Sequence, residues 1–108
     1  MQNEYMKKLF FDLFEVNIEK SDFRDFYFDK KFQKKVLKLK GKESYNLFKK
    51  ILEIISCEDI THYKNLKFNL KNYRRVHVNN SYVIIFYDDI SKKVYFVDYD
   101  HHDKIYKN

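Results

Sequence analysis

The sequence predicts an α+β domain in which helices cover one face of an antiparallel sheet. Apolar residues recur at helical spacing through the first half of the chain, and three β-rich runs split by short polar turns fill the last third. The 108 residues are 44% hydrophobic, which suits one domain with a modest core.

The first helix is predicted over about residues 4–17, because apolar side chains there recur at helical spacing. We treat residues 1–20 as an N-terminal amphipathic extension and residues 21–108 as the main domain. A wide apolar face has to be covered, either by the domain itself or by a partner, and we favour packing on the domain. The residues of that face are Met6, Leu9, Phe10, Leu13, Phe14 and Ile18.

A strand and two helices come next. Residues 22–28 (DFRDFYF) alternate apolar and polar side chains, which predicts a strand, and Asp29 follows as a helix N-cap. Gly41 lies where the first helix needs a left-handed end, and the second helix is predicted over residues 43–56. The two helices form an αα-hairpin. Its buried positions are Phe32, Val36, Leu39, Leu47, Phe48, Ile51, Leu52 and Ile55.

The last third predicts a three-stranded meander. Its strands are residues 73–78, 82–88 and 93–98, and the short polar segments 79–81 and 89–92 between them favour antiparallel hairpins. The strand at residues 22–28 has to join the meander, because an isolated strand leaves its backbone edges unpaired. We therefore expect a four-stranded antiparallel sheet, preceded by an irregular basic segment at residues 62–71.

The face of the sheet turned away from the helices is where we expect function. If Val76 and Val78 face the helices, Arg75 and His77 face away from them, because successive side chains of a strand point to opposite sides. A face without helices that mixes tyrosines with Arg and His suits the stacking of unpaired bases and the binding of phosphates.

The charge of the chain is unevenly distributed. Residues 30–75 carry fourteen Lys or Arg against four acidic residues, a net +10, whereas the remainder carries −4. This basic block favours a polyanionic partner, and a solvated Lys-rich helix surface is the plain alternative. Cys57 is the only cysteine, so no internal disulfide forms and a cytoplasmic location is expected. No apolar run predicts a membrane span, and Asp12 and Glu15 interrupt the N-terminal apolar stretch where a signal peptide would be uninterrupted.

Metal-independent RNA cleavage is the chemistry that the residue types at the end of the meander suit best. The 2′-hydroxyl attacks the adjacent phosphorus, which requires a base, an acid and a cation for the phosphate. Histidine suits the first two roles and arginine the third. For any one residue, a surface or capping role is the simpler interpretation. The candidates are Arg75, His77, His101, His102, Lys104 and Tyr106.

Other chemistries have weaker support. His101 and His102 are adjacent, so on a strand they would point to opposite sides and rarely bind one metal ion, even with help from His62, His77 or Cys57. Cys57 ends an apolar helix stripe, which indicates a core or near-core position rather than a nucleophile. No glycine-rich phosphate loop is present. We expect neither a metal nor a cofactor.

The order and the amino-acid sequences of these segments resemble the RelE/ParE superfamily of toxin–antitoxin toxins, on the RelE side. YRRVHVNNSYVIIFY (residues 73–87) is similar to the family's first two meander strands, and HHDKIY (residues 101–106) to its ending. FYFDKKFQKKVLKL (residues 26–39) resembles its first strand and first helix. The resemblance implies a RelE-like fold with an extra N-terminal helix.

The resemblance also implies a function, namely a metal-independent, ribosome-dependent mRNA endonuclease that forms the toxin of a type II toxin–antitoxin system. Its partners would be a cognate antitoxin, the ribosome and mRNA, with no membrane. The N-terminal helix lies outside the family core, and from its wide apolar face we expect that it either covers the groove where an antitoxin helix docks or drives formation of a homodimer. The catalytic residues implied are Arg75, His77, His102 and Tyr106. We add as RNA-binding residues Lys34, Lys38, Lys64, Lys67, Arg74, His101 and Lys104.

The chain departs from the family pattern at its charges. Val83 stands where the pattern has an Arg, and His102 stands where an Arg is common. Asp98, Asp100 and Asp103 would repel phosphate unless they pair with Arg75 or Lys104. These departures keep two alternatives open, a ParE-like toxin that inhibits DNA gyrase through protein contacts, and a catalytically degenerate relative that binds RNA or protein.

Overall fold

The computed structural model describes residues 8, 11–12, 14, 24–57, 59–60, 63–65 and 73–106. A five-stranded sheet forms the centre of the described chain, and its strand order is β1-β5-β4-β3-β2. In chain order the elements are β1 (Phe26–Phe28), α1 (Lys30–Leu37), α2 (Gly41–Ile55), β2 (Lys64–Asn65), β3 (Arg74–Val78), β4 (Tyr82–Asp88), β5 (Val94–His101) and α3 (His102–Tyr106).

The α+β class is confirmed, but the prediction of a four-stranded, fully antiparallel sheet is wrong. The first strand does join the meander, yet Phe26–Phe28 pairs in parallel with residues 94–96 of β5, so the sheet is mixed. The meander alternates direction at each hairpin, and its last strand arrives beside β1 running the same way. The fifth strand is β2, which lies inside the segment at residues 62–71 that was predicted to be irregular. Its two residues pair with Arg74 and Arg75 of β3.

The last strand is longer than predicted. β5 continues to His101, three residues past the expected end, because β4 still offers pairing partners as far as Tyr82. An irregularity in the pairing at Ile85 and Phe86 leaves one extra residue, Val97, on β5. As a consequence, His101 is the last residue of the sheet and His102 is the first residue of α3.

The two helices α1 and α2 follow one another with only residues 38–40 between them. Gly41 has the predicted left-handed backbone, with φ of +58°, but it stands at the first position of α2 rather than at the end of α1. Nothing lies within 4 Å of where its Cβ would be, so the backbone angle alone favours glycine. Asp29 does precede α1 as predicted, although its side chain makes no capping hydrogen bond.

The sheet carries apolar residues on both of its faces. Neighbouring residues of β4 belong to different clusters, with Ile84 and Phe86 in the main core and Val83 and Ile85 in a smaller one. The two clusters therefore lie on opposite faces. The main core joins the sheet to both helices, and its fully buried side chains include Phe28, Phe32, Val36, Leu47, Ile51, Ile54, Ile55, Ile60 and Phe96.

Most of the predicted N-terminal extension lies outside the described residues. The four that are described, Lys8, Phe11, Asp12 and Phe14, are helical. Phe14 is buried, and its ring centroid lies 5.5 Å from that of Phe48 on α2, whereas half of Phe11 is exposed. Within the described residues, no helix has the length and hydropathy needed to cross a membrane.

Candidate functional site

Two rows of side chains cross the face of the sheet that carries the smaller cluster. Arg75, Ile85 and Asp98 are cross-strand neighbours on β3, β4 and β5, and His77, Val83 and Asp100 form the next row. Each row runs from a basic residue through a buried aliphatic residue to a carboxylate. Val83 is 0% exposed and Ile85 3%, so the middle of this face is closed, contrary to the open base-stacking surface that was expected.

His77 and His102 meet at the end of this face. Their imidazole rings stack, with centroids 5.2 Å apart and an angle of 23° between the ring planes. The first residue of α3 is anchored there, because the backbone N–H of His102 donates to the carbonyl of Ser81, at 2.6 Å, in the β3–β4 turn. The strand pairing and this anchor bring together two histidines that are twenty-five positions apart in the sequence.

His101 takes a different position from its neighbour. Its ring makes an edge contact with Tyr82, at 5.5 Å between centroids, and its Nδ1 accepts a hydrogen bond from the backbone N–H of Asp103 at 3.2 Å. An Nδ1 that accepts leaves the proton of the neutral ring on Nε2. The exposed Asp103 carboxylate lies 3.9 Å from His101 Nδ1 and 3.8 Å from His102 Nδ1.

The two arginines of β3 have different surroundings. Arg75 is partly buried in the row beside that of His77, two residues away along the strand, or about 7 Å. Arg74 lies opposite Phe86 and donates from a guanidinium nitrogen to the carbonyl of Tyr63 at 2.9 Å. Arg74 thus holds the segment before β2 against the sheet.

The remaining predicted residues are distributed over several elements of the fold. Lys34 lies exposed on α1, Lys38 follows the end of α1, and Lys104 is exposed on α3. Lys64 is in β2 and Tyr106 is the last residue of α3, and only their backbones are described. Lys67 lies outside the described residues.

The acidic residues Asp98 and Asp100 of β5 pair with lysines of α1, and Lys104 also attracts the Asp100 carboxylate. Lys35 Nζ donates to Asp98 at 2.7 Å and to Asp100 at 2.8 Å, and Lys31 Nζ lies 3.2 Å from Asp98. Val83 and Ile85 of β4 separate these carboxylates from β3, whereas β1 stops at Phe28 and leaves this part of β5 open to α1.

The pairing shows in the pKa values of both partners. Burial alone would lower the pKa of Lys35, but its hydrogen bonds to Asp100 and Asp98 outweigh that effect and raise the pKa above the ordinary 10.5. Burial alone would raise the pKa of Asp100, but the hydrogen bonds from Lys35 and from the His101 backbone hold it below the ordinary 3.8. Both groups are therefore charged over the whole physiological range.

A ladder of four tyrosines crosses the other end of the same face, and sequence reasoning missed it. Tyr87 stacks on Tyr95 at 4.8 Å and on Tyr73 at 5.2 Å, and Tyr27 lies 6.1 Å from Tyr95. Lys93 Nζ lies over the rings of Tyr27 and Tyr95. The tyrosines were visible in the sequence, but only the strand register puts them in one line.

The described residues offer little to a metal ion or a cysteine nucleophile. No three His, Cys, Asp or Glu side chains in the described ranges are grouped closely enough to hold a metal. The partly buried Cys57 Sγ lies 3.2 Å from the carbonyl of Asp59, and the Cys57 carbonyl accepts a hydrogen bond from Arg24. Cys57 therefore occupies the near-core position that its helix stripe predicted.

Two relatives are similar in sequence over about two thirds or more of this chain. A proposed toxin, RelE4, of Methanocaldococcus jannaschii is 44% identical over 78 residues, which cover 68% of this chain and 81% of the relative. An uncharacterized protein of Methanosarcina mazei is 42% identical over 79 residues, which cover 72% of this chain and 88% of the relative. No protein-family profile matches the chain.

Solved structures share the fold at low sequence identity. The intact Escherichia coli RelBE toxin–antitoxin complex contains a chain that matches with a TM-score of 0.60 and 19% identity, over 72% of this chain and 95% of that one. YafQ of E. coli matches with a TM-score of 0.58 and 20% identity, over 77% of this chain and 98% of its own. The sequence relatives and the shared fold together show that this chain belongs to the RelE-like family of toxin–antitoxin toxins.

Proposed function

We propose that this protein is the toxin of a type II toxin–antitoxin system and acts as a ribosome-dependent mRNA endonuclease. The stacked pair of His77 and His102, beside Arg75, is the observation that carries the proposal. Two groups able to exchange protons near neutral pH, together with a fixed cation, are what metal-independent RNA cleavage requires.

The reaction would be an in-line transfer at phosphorus. One imidazole takes the proton of the 2′-hydroxyl, the 2′-oxygen bonds to phosphorus, and the other imidazole gives a proton to the departing 5′-oxygen. The products are a 2′,3′-cyclic phosphate and a free 5′-hydroxyl, so no water or metal is consumed. Arg75 would stabilise the charge of the five-coordinate phosphate, and Tyr106, at the end of α3, would complete the site.

Positive charge around this end would hold the RNA. Lys34, Lys38 and Lys104 project exposed ammonium groups from α1, its C-terminal end and α3. Contacts of this kind neutralise phosphates irrespective of sequence, so affinity would fall as salt rises. His101, Arg74, Lys64 and Lys67 are the further RNA-binding residues in this proposal.

A ParE-like action on DNA gyrase is the second candidate function. Its support is Val83, which is fully buried between His77 and Asp100, at the position where the RelE pattern has an Arg. The face therefore carries less fixed positive charge than a nuclease site of that pattern. A catalytically degenerate RNA- or protein-binding relative is the remaining alternative.

A cognate antitoxin is the proposed protein partner, since a solved toxin with this fold is in complex with its antitoxin. We also propose that the N-terminal extension forms a homodimer through apolar side chains that the domain leaves exposed. Phe11 is half-exposed while Phe14 packs on Phe48, so the two sides of this segment differ. Replacing Phe11 with Ser should lower the mass in solution, and an unchanged mass at high protein concentration would exclude the dimer.

Expression in a bacterial host tests the main proposal against its alternatives. Prompt loss of translation with cut mRNA supports the nuclease, whereas DNA damage with continuing translation supports the gyrase inhibitor. Arg75→Ala and Tyr106→Phe should each relieve toxicity, and Arg75→Lys should relieve it in part because lysine lacks the planar donor fork. An absence of any growth effect would count against both toxic functions.

A further inference from the structure

We propose that Lys35 is an electrostatic positioning residue for the site at His77 and His102. By neutralising Asp98 and Asp100, it would keep that end of the face able to accept a phosphate. The inference rests on the proposed RNA function and adds a residue outside the predicted site. Its basis is the three-part arrangement of Lys35, Asp98 and Asp100 on α1 and β5.

The two carboxylates cannot turn away from the sheet. Asp98 Oδ1 accepts a hydrogen bond from the backbone N–H of Tyr99 at 2.8 Å, and Asp100 Oδ1 accepts one from the N–H of His101 at 2.8 Å. Their side chains are only 11% and 22% exposed. Because both groups are held in place, their negative charges occupy a fixed position on the sheet, and a cation beside them is needed to offset the field that they produce.

These charges lie close to the candidate centre. Asp100 belongs to the row of His77 and Val83, two strands away, which is about 10 Å at the usual spacing between strands. That distance is about one Debye length at physiological salt. The buried Val83 and Ile85 fill the space between, so little water screens the interaction. Two uncompensated carboxylates would therefore repel the phosphates of a bound RNA.

Lys35 is placed to cancel this repulsion without touching the RNA. Phe32 and Val36 of α1 are buried in the main core, which fixes the helix beside the open part of β5. The Lys35 side chain is 29% exposed and bonds both carboxylates, whereas Lys31 is 63% exposed and reaches Asp98 alone. Lys35 thus contributes most of the compensation, with smaller contributions from Lys31 at Asp98 and from Lys104 at Asp100.

The test compares Lys35→Met with Lys42→Met, which removes the same charge from an exposed position at the start of α2. With purified full-length protein and a short mRNA on programmed ribosomes, Lys35→Met should raise KM about 3- to 10-fold over the Lys42→Met control, with a smaller change in kcat. The difference should shrink at high salt. Lys35→Arg should retain wild-type KM.

A triple variant separates charge from stability. Lys35→Met with Asp98→Asn and Asp100→Asn removes the cation together with both anions, and it should restore KM to the level of the Lys42→Met control. A Lys35→Met variant no weaker than Lys42→Met, or a triple variant no better than Lys35→Met, would overturn the inference while leaving the nuclease intact. A wild-type protein that neither binds nor cuts the mRNA would overturn the proposed function and this inference together.

Discussion

The imidazole rings of His77 and His102 stack at a centroid distance of 5.2 Å, although one belongs to strand β3 and the other opens the last helix. The contact depends on two features of the fold, the register of β3 with β4 and the hydrogen bond from His102 to Ser81. The contact places two imidazoles side by side, with an arginine in the neighbouring row, and each of the three residues can be replaced separately.

Removing either histidine should slow cleavage strongly while leaving the fold intact. We expect His77→Ala and His102→Ala each to lower the cleavage rate about 10²- to 10⁴-fold, the usual contribution of general acid or base catalysis. Because His77 is exposed and His102 is partly exposed, the free energy of unfolding should change by less than about 1 kcal/mol. Single-turnover cleavage and urea denaturation measure the two effects.

The double variant adds a sharper criterion. If the two imidazoles act in one step, the double variant His77→Ala with His102→Ala should cleave little more slowly than the less active of the two single variants. The losses of cleavage rate from groups that act as a unit do not multiply. Strictly multiplicative losses would indicate that the two rings act separately.

The tyrosine ladder should contribute to stability according to position. Tyr87 has a stacked ring on each side, whereas Tyr27 stands at the edge and is 41% exposed. We expect Tyr87→Ser to lower the free energy of unfolding by about 2 kcal/mol and Tyr27→Ser by less than about 1 kcal/mol. Equal costs at the two positions in urea denaturation would argue against a cooperative ladder.

Gly41 should respond to substitution in the order set by its backbone angle. Ala at φ of +58° is strained, so Gly41→Ala should destabilise the protein by about 1–2 kcal/mol, and Gly41→Asn should cost less because Asn tolerates this region. At an ordinary helix position, replacing glycine with alanine raises the free energy of unfolding. The sign of the change at residue 41 is therefore the test. A thermal melt of Gly41→Ala at or above the wild-type midpoint would contradict the left-handed conformation.

Acid stability should depend on the β4–β5 turn. The hydrogen bond from the Ser91 side chain, with others from Tyr95, Lys93 and the Ser91 backbone, lowers the pKa of Asp89 from 3.8 to about 2. A carboxyl with a depressed folded-state pKa stabilises the protein above its unfolded value, and that contribution disappears as pH falls through the folded value. Between about pH 4 and 2, the urea midpoint of Asp89→Asn should therefore fall less steeply than that of the wild type. Parallel slopes would contradict the assignment.

The sequence predicts what depends on local pattern. The apolar spacing of Leu47, Phe48, Ile51 and Ile55 predicted a helix with the right buried face, and the alternation in β4 predicted its bounds. The family resemblance, based on residues 26–39, 73–87 and 101–106, is confirmed by the relatives and by the fold.

What the sequence could not supply depends on contacts between distant residues. The parallel pairing of β1 with β5 is set by which edge of the meander the first strand reaches, and no local pattern encodes that choice. For the same reason the sequence did not reveal Lys35 as a partner of Asp98 and Asp100, because Lys35 is more than sixty positions away along the chain. The roles of the predicted site residues stay a prediction.

The most direct test of the nuclease proposal is to map mRNA ends on programmed ribosomes after adding the purified protein. We predict a cut within the ribosome-bound codon that carries a 2′,3′-cyclic phosphate and a 5′-hydroxyl, with no cut from His77→Ala or His102→Ala. Intact mRNA with the wild-type protein, or wild-type cutting by both variants, would contradict the proposal.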